Sequence, residues 1–223
     1  MDTLTSLPAA FTLREPIPGY LLRERIGAGG YGEVWRADAP GGLSKAVKIV
    51  FGPLKDGRAE RELKALNRIK QVQHPLLLSL ERIEMVHDHL VIVMELAHGS
   101  MKERFEKCVK EGERGIPRLE LLAYLRDVAD ALDYLYDEHS LQHLDVKPEN
   151  LLLIANRVKV ADFGLVKDLG DRSESLVGGL TPLYAPPEVF DGRPNRNSDQ
   201  YSLAMVYQEL LTGEPAFAGR TVA

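Results

Sequence analysis

The sequence predicts an α+β protein with two parts: a small antiparallel β-sheet with one helix, followed by a mainly α-helical part. Two observations support this class. Short strand-like runs separated by Gly- and Pro-containing turns dominate the chain up to residue 97, and apolar residues at helical spacing dominate the chain beyond it. The 223 residues, 44% hydrophobic and 27% charged, are typical of a folded globular chain with one large or two small domains.

Five strands and one helix are predicted for the first part of the chain. Residues 1–19 contain three prolines and form an N-terminal leader, to which we assign no chemistry. The predicted strands are 20–26, 33–38, 45–51, 76–86 and 89–96, and residues 57–73 have the spacing of one amphipathic helix. Residues 20–97 are therefore expected to form a β-rich domain.

Helices dominate the prediction for residues 98–223. The helical segments are 100–110, 119–138 and 198–212. Two short apolar runs, 151–154 and 158–161, are separated by the turn-like pair Asn156-Arg157, and an irregular polar segment extends from there to residue 185. This second domain is expected to carry its polar loops between the helices.

Composition excludes several classes of function. A net charge of −5 provides no basic surface for nucleic acid, so we expect no nucleic-acid partner. The single cysteine, Cys108, excludes an intramolecular disulfide and a zinc site with four cysteines. The longest apolar run, residues 90–97, is far shorter than a membrane-spanning helix. We therefore expect a cytoplasmic protein, although a longer parent protein could carry a membrane tether.

A glycine-rich turn joins the first two predicted strands. Gly27, Gly29 and Gly32 follow the pattern G-x-G-x-x-G. A dinucleotide-binding fold needs a helix to begin at these glycines, whereas residues 33–37 continue as a strand. We predict a hairpin tip whose backbone N–H groups can approach phosphate oxygens, because glycine has no Cβ. An ordinary flexible hairpin is the alternative interpretation.

Lys48 lies within the otherwise apolar strand Ala46-Val47-Lys48-Ile49. A buried ammonium group is costly without an anionic partner, so the position calls for nearby anions. Glu62 on the following helix is the best candidate partner, and Glu60 competes with it. In the alternative interpretation, Lys48 extends to solvent, and Glu60 and Glu62 are exposed on the helix without a role.

The strongest signal is the run His143-Leu144-Asp145-Val146-Lys147-Pro148-Glu149-Asn150, followed by Asp162-Phe163-Gly164. These residues resemble the catalytic and metal-binding loops of protein kinases. The resemblance continues in order from the glycine turn through Lys48 and Glu62 to Thr181-Pro182, Pro187-Glu188 and Asp199. It implies a two-lobed protein-kinase-like fold, and the lysine in the loop resembles the serine/threonine class. It most resembles the eukaryotic-type kinases of bacteria.

The resemblance implies an ATP-dependent enzyme that uses Mg²⁺ and phosphorylates Ser or Thr of protein substrates. Catalytic roles are implied for Asp145, Lys147, Lys48 and Glu62, and metal ligation for Asn150 and Asp162. Nucleotide contacts are implied for Gly27, Gly29, Gly32, Val34, Ala46, Lys48, Glu95, Ala97 and Leu152. In the same pattern Met94 is the gatekeeper, and Leu66, Leu80, His143 and Phe163 form an apolar stack. A hydrophobic core explains these apolar positions equally well.

The sequence departs from the family pattern at two places. Leu144 replaces the usual arginine, so we expect activity that does not depend on a phosphate clamp at Ser173, Ser175 or other hydroxyls of that segment. The helix predicted over 198–212 is apolar around most of its circumference, yet few residues follow it. We therefore expect a second lobe that lacks its last helices, or self-association through the uncovered surface. A pseudokinase that binds nucleotide or acts as a scaffold is the alternative function.

Overall fold

The structure is a computed structural model that describes residues 14–29, 32–50, 58–87, 89–163, 167–168 and 181–217. For residues 58–62 and 167–168 it describes the backbone alone. The side chains of Glu60 and Glu62, together with Ser173 and Ser175, lie outside this description. Two compact units are formed by the described residues. One contains residues up to Lys64 and Ser79–Ala97, and the other contains Ala65–Leu78 and the residues from His98 onward.

The first unit is built on a five-stranded antiparallel sheet. Its strands are β1 (Leu21–Gly29), β2 (Gly32–Ala39), β3 (Leu43–Val50), β4 (Leu80–Val86) and β5 (His89–Glu95), in the spatial order β1-β2-β3-β5-β4. A short 3-10 turn, Pro40–Gly42, connects β2 to β3, and Gly41 adopts a φ of 77° there. Helix α1 (Arg58–Ile69) separates β3 from β4. The predicted sheet with one helix is confirmed.

One face of this sheet carries a hydrophobic core. Trp35, Val47, Ile49, Val91 and Val93 are buried on it. Residues 14–20, which precede β1, cover this face: Ile17 is fully buried, and the N–H of Leu22 donates to the Arg14 carbonyl at 2.7 Å. Each such apolar side chain contributes about 1.5 to 3 kcal/mol when it is buried.

Helices and short strands form the second unit. The helices are α2 (Met101–Lys110), α3 (Arg118–His139), α4 (Pro187–Phe190) and α5 (Ser198–Thr212). The strands are β6 (Gly99–Ser100), β7 (Leu141–Gln142), β8 (Leu151–Ile154), β9 (Arg157–Val160) and β10 (Lys167–Asp168). Ser100 and Glu103 form a capping box that explains where α2 begins, because each side chain accepts a bond from the other's N–H.

Helices α3 and α5 each contribute apolar side chains to the core of the second unit. Residues Leu121, Val128, Ala131 and Leu135 are buried on α3, and Val206 and Leu210 are buried on α5. Helix α3 ends at Ser140, which adopts the left-handed conformation with a φ of 54°. Among the helices of the described ranges, none combines the length and the apolar character that a bilayer crossing requires.

The predicted strand over residues 76–86 is too long at its beginning. Strand β4 starts only at Leu80, and the preceding residues pair with β9 in the second unit. The N–H of Leu78 donates to the Val160 carbonyl at 2.8 Å, and the N–H of Val160 donates to the Leu76 carbonyl at 2.9 Å. The apolar run therefore serves two different sheets, a division that its hydrophobicity does not reveal.

Candidate active site

Three of the predicted nucleotide-site residues and the predicted gatekeeper, Met94, lie on one face of the five-stranded sheet. Val34 is directly opposite Lys48, and Ala46 is directly opposite Met94. Residues opposite each other on antiparallel strands share a face, and so do residues two apart on one strand. Lys48, Val34 and Met94 are half-buried and Ala46 is buried, whereas the other face of the sheet carries the hydrophobic core. The sheet therefore presents these residues together on its accessible face.

The glycine turn connects β1 to β2 as a hairpin. Gly27 pairs with Val34, and Gly29 pairs with Gly32. A Cβ at position 32 would come within 2.3 Å of the Ile49 carbonyl oxygen, so the sheet itself requires glycine there. A Cβ at position 27 would meet Val34 at an ordinary 3.7 Å. The prediction of a hairpin is confirmed, and close backbone packing is a reason for Gly32 that sequence reasoning missed.

Glu95 is tied to the start of β4. Its N–H donates to the Ser79 carbonyl at 3.2 Å, and its side-chain Oε1 accepts from the Ser79 N–H at 2.7 Å. Ala97, two residues further on, is half-buried. These bonds fix the end of β5 at the segment where the resemblance implies adenine binding.

In the second unit, the carboxylate of Asp145 is the centre of a hydrogen-bond network. Its Oδ2 accepts from Lys147 Nζ at 2.7 Å and from Asn150 Nδ2 at 2.8 Å. Its Oδ1 accepts from the Thr181 hydroxyl at 3.2 Å, and Lys147 Nζ also donates to that hydroxyl at 3.1 Å. The network restricts both oxygens of one partly accessible carboxylate to a defined orientation.

A second aspartate holds the loop that carries Asp145. Asp199, at the start of α5, accepts the backbone N–H groups of His143 and Leu144, each at 2.8 Å. Burial raises the pKa of the Asp199 carboxyl, while the neighbouring His143 and the two N–H donors act against that rise. Leu144 is buried and adopts a left-handed φ of 62°. Non-glycine residues rarely adopt this conformation, and it needs support from the surrounding structure.

His143 connects this loop to the segment that follows β9. Its Nε2 donates to the Ala161 carbonyl at 3.0 Å, and its Nδ1 accepts from the Asp145 N–H at 3.3 Å. The imidazole also meets the ring of Phe163 edge to face, with 5.6 Å between centroids. The resemblance implied a stack of these two rings, and the structure places them in contact within the second unit.

The hairpin of β8 and β9 brings Asn150 and Asp162 to the same end. Leu151 pairs with Val160, and the Ala161 N–H donates to the Asn150 carbonyl at 2.9 Å, so the chain positions before β8 and after β9 are adjacent. Asp162 is exposed and adopts a left-handed φ of 62°. Leu152, the predicted contact beneath adenine, is half-buried on β8.

The opposite end of this hairpin forms hydrogen bonds with α3. Asp127 accepts two hydrogen bonds from the Arg157 guanidinium, at 2.7 and 2.8 Å, and one from the Val158 N–H at 3.1 Å. Sequence reasoning missed Asp127, although an aspartate among the apolar residues of a helix was a usable signal. It also assigned no role to Asp199, whose two N–H donors become visible only in three dimensions.

The predicted site residues therefore form two groups. The first unit contains the glycines, Val34, Ala46, Lys48 and Glu95, and the second contains Asp145, Lys147, Asn150, Leu152 and Asp162. Their convergence around one nucleotide stays a prediction, as does the pairing of Lys48 with Glu62. Groups of three or more His, Cys, Asp or Glu side chains able to hold a metal do not occur among the described residues.

The β-sheet unit, the helical unit and the loop around Asp145 define a class of protein. Residues 20–223 match the model of the protein kinase domain. The chain therefore belongs to the protein kinase family, and its fold is the two-lobed fold of that family.

Several relatives are serine/threonine kinases. The kinase nekl-2 of Caenorhabditis elegans is 31% identical over 209 residues, which are 88% of this chain and 58% of that protein. The kinase ULK3 of Rattus norvegicus is 29% identical over 212 residues, which are 92% of this chain and 44% of that protein. The chain spans about half the length of these curated relatives. These relatives are eukaryotic, and the resemblance to bacterial kinases stays a prediction.

Proposed function

We propose that this chain transfers the γ-phosphoryl group of Mg·ATP to serine or threonine hydroxyls of protein substrates. One observation carries the proposal. The Asp145 carboxylate is oriented through both of its oxygens by Lys147, Asn150 and Thr181, and its loop is anchored on the buried Asp199. A phosphoryl-transfer enzyme needs mainly this kind of positioning, together with neutralisation of charge.

Asp145 is the group that would orient the acceptor hydroxyl and take up its proton. A carboxylate in this role needs a fixed direction more than it needs unusual basicity, because the proton leaves late in the reaction. Lys147 contributes a positive charge 2.7 Å from that carboxylate. In the proposed reaction this charge would neutralise phosphoryl oxygens beside the acceptor.

Asn150 and Asp162 fit a magnesium ion by their chemistry and position. Asn150 uses its Nδ2 for two hydrogen bonds to Asp145, so the amide oxygen Oδ1 is the atom that it can offer to a cation. Asp162 adds a carboxylate at the same end of the β8–β9 hairpin. Hard oxygen donors of this kind are the ligands that Mg²⁺ prefers.

The accessible face of the first unit is proposed to hold the nucleotide. ATP supplies the transferable phosphoryl group, and Mg²⁺ neutralises the charge on its phosphates. Lys48 would bind the α- and β-phosphates with Glu62 as its partner, and the glycine hairpin would cover the phosphates. Val34, Ala46 and Leu152 would enclose the adenine ring, and the backbone of Glu95 and Ala97 would form hydrogen bonds with it. The shared face of Val34, Ala46 and Lys48 supports this assignment.

The test is transfer of labelled phosphate from ATP in the presence of Mg²⁺, for the wild type and for Asp145→Asn. We expect Asp145→Asn to lower the rate by about two to four orders of magnitude, the usual contribution of a positioned acid or base. Asp137→Asn, an exposed aspartate near the end of α3, is the matched control and should leave the rate unchanged.

Nucleotide binding is measured in parallel by thermal unfolding with and without Mg·ATP. Stabilisation by ATP together with transfer supports the kinase. Stabilisation without transfer favours a nucleotide-binding module, the alternative function. If the wild type shows neither stabilisation nor transfer under any substrate condition, the proposed function is wrong.

A further inference from the structure

Strand β2 contains a carboxylate that the proposed chemistry does not use. Glu33 is only 2% exposed, although it directly follows the glycine turn. Its Oε1 lies 2.9 Å from Arg25 Nη1 on β1, and its Oε2 accepts from the indole Nε1 of Trp35 at 3.1 Å. A carboxylate is costly to bury, so these partners must compensate for the water that it loses.

The network lies on the opposite side of the sheet from the nucleotide-site residues. Glu33 is opposite Ile49 and Trp35 is opposite Val47, and all four face the hydrophobic core. Val34, between Glu33 and Trp35, faces the other side together with Lys48. Because side chains alternate along a strand, Glu33 in the core and Val34 on the face of Lys48 belong to one register of β2.

The pairing of β1 with β2 is weakly specified near the glycine turn, whereas β2 is held against β3 by eight consecutive residue pairs. Glycine occupies four of the six positions 27–32, and the pairing of β1 with β2 shifts between Leu22 and Glu24 and again between Arg25 and Gly27. Gly-rich strands specify their register poorly, because few side chains pack to hold it. A slip of β1 by one residue along β2 would turn Arg25 to the opposite face and would move Gly27 and Gly29 relative to Val34.

We propose that the pair of Arg25 on β1 and Glu33 on β2, with Trp35 orienting the Glu33 carboxylate, forms a register lock that positions the β1 side of the glycine hairpin beside Val34 for the nucleotide. A slipped register of β1 would move the Arg25 guanidinium out of reach of the Glu33 carboxylate, so the lock penalises it. Buried polar pairs are known to specify register in this way, even where their net contribution to stability is small. This inference rests on the proposed function, because it assigns the three residues to ATP binding.

The experiment compares Glu33→Gln and Arg25→Gln with a matched control on the same hairpin. The control is Arg23→Gln, which breaks the ion pair of Arg23 with Asp38, whose side chains are 48% and 52% exposed. The dissociation constant and KM for Mg·ATP are measured with kcat, at a temperature well below every unfolding transition. Trp35 is the single tryptophan of the chain, so its fluorescence reports for each variant whether the sheet is folded.

We expect Glu33→Gln and Arg25→Gln to raise the dissociation constant and KM for ATP by about tenfold, which corresponds to a competent register populated about a tenth of the time. We expect kcat to change by less than about twofold, because saturating ATP selects the competent register. Arg25→Lys should restore most of the affinity, since it keeps the positive charge. Arg23→Gln should leave both ATP constants unchanged.

Two results would overturn the register lock while the proposed function stands. The first is a lower unfolding temperature in Glu33→Gln and Arg25→Gln with no change in KM for ATP, which would make the network purely structural. The second is an equal rise in KM for Arg23→Gln. Failure of the wild type itself to bind ATP would instead refute the proposed function, and the lock with it. Arg25 is 33% exposed, so its variants should fold even if Glu33→Gln does not.

Discussion

The sheet of the first unit and the loop around Asp145 in the second are held by different kinds of interaction. Strands of the sheet pair mostly with their neighbours in sequence, and one face is closed by apolar side chains. The loop depends on polar bonds between distant residues, such as the bond from the His143 N–H to Asp199, 56 residues away. Packing therefore maintains the sheet, and a few hydrogen bonds define the geometry of the loop.

Each region also contains a buried carboxylate. The hydrogen-bond partners of the two carboxylates differ in the same way, because one set is close in sequence and the other is distant. Glu33 is satisfied by Arg25 and Trp35, both within eight residues of it. Asp199 is satisfied by the backbone of a loop more than 50 residues away. Changes in the sheet should therefore affect mainly stability or register, whereas changes in the loop should affect mainly the rate of transfer.

The largest effect is expected for Asp199→Ala. It leaves the N–H groups of His143 and Leu144 without their acceptor, and each unsatisfied buried donor costs about 1 to 3 kcal/mol. We expect the free energy of unfolding to fall by about 2 to 6 kcal/mol. The folded fraction should also lose at least about a hundredfold in transfer rate, because the Asp145 loop is misplaced. Urea unfolding and a transfer assay on the folded protein measure the two effects.

Asp137→Ala, at an exposed position of α3, is the control for Asp199→Ala and should change neither quantity. If Asp199→Ala kept the wild-type transfer rate, the loop would not depend on this carboxylate. The contrast between a packed sheet and a hydrogen-bonded loop would then be wrong.

A smaller effect, on stability alone, is expected for Ile17→Ala. Ile17 is fully buried over the sheet, and truncation of such a side chain costs about 2 to 5 kcal/mol. The transfer rate of the folded fraction should remain within about twofold of the wild type, because Ile17 lies in the core face of the sheet and not on the face of Lys48. Chemical denaturation followed by Trp35 fluorescence measures the loss.

Leu43→Ala provides the comparison for Ile17→Ala. Leu43 is 57% exposed on β3, so its truncation should lower the free energy of unfolding by less than about 0.5 kcal/mol. Equal losses for the two variants would show that residues 14–20 do not contribute to the core of the sheet.

The smallest effect is expected at the ion pair between α2 and α3. Arg104 donates two hydrogen bonds to Glu120 and lowers the pKa of that carboxyl from its ordinary value of 4.5. The contribution of the pair is fully present above the unfolded-state pKa and is lost as the pH falls through the lower folded-state pKa. Glu120→Gln should therefore cost at most about 1 kcal/mol at pH 7, because both side chains are partly exposed.

The difference in unfolding free energy between the wild type and Glu120→Gln should shrink as the pH falls below 4.5, the ordinary pKa of the carboxyl. It is measured by urea titrations at several pH values. A difference that stays constant from pH 7 to pH 3 would show that the pair does not titrate as proposed, and that the cost comes from packing.

Much of the fold follows from local sequence patterns. The predicted bounds of α5 and β8 agree with the structure, because the helical spacing and the turn before Arg157 are local features. The strand predicted from residue 76 began too early, because an apolar run does not show which of two sheets its backbone will join. Residues 14–20 gave no signal of their own, since the burial of Ile17 depends on the sheet beneath it.

Spacing and short motifs were enough to predict the α+β class, the glycine hairpin and the loop from His143 to Asn150, because they are properties of neighbouring residues. Three arrangements became visible only in the folded chain. Asp199 and Thr181 contact the Asp145 loop, Asp127 holds the β8–β9 hairpin, and Glu33 lies in the core beside Arg25. These partners are chosen by hydrogen-bond geometry and burial, which exist only after distant segments of the chain have come together.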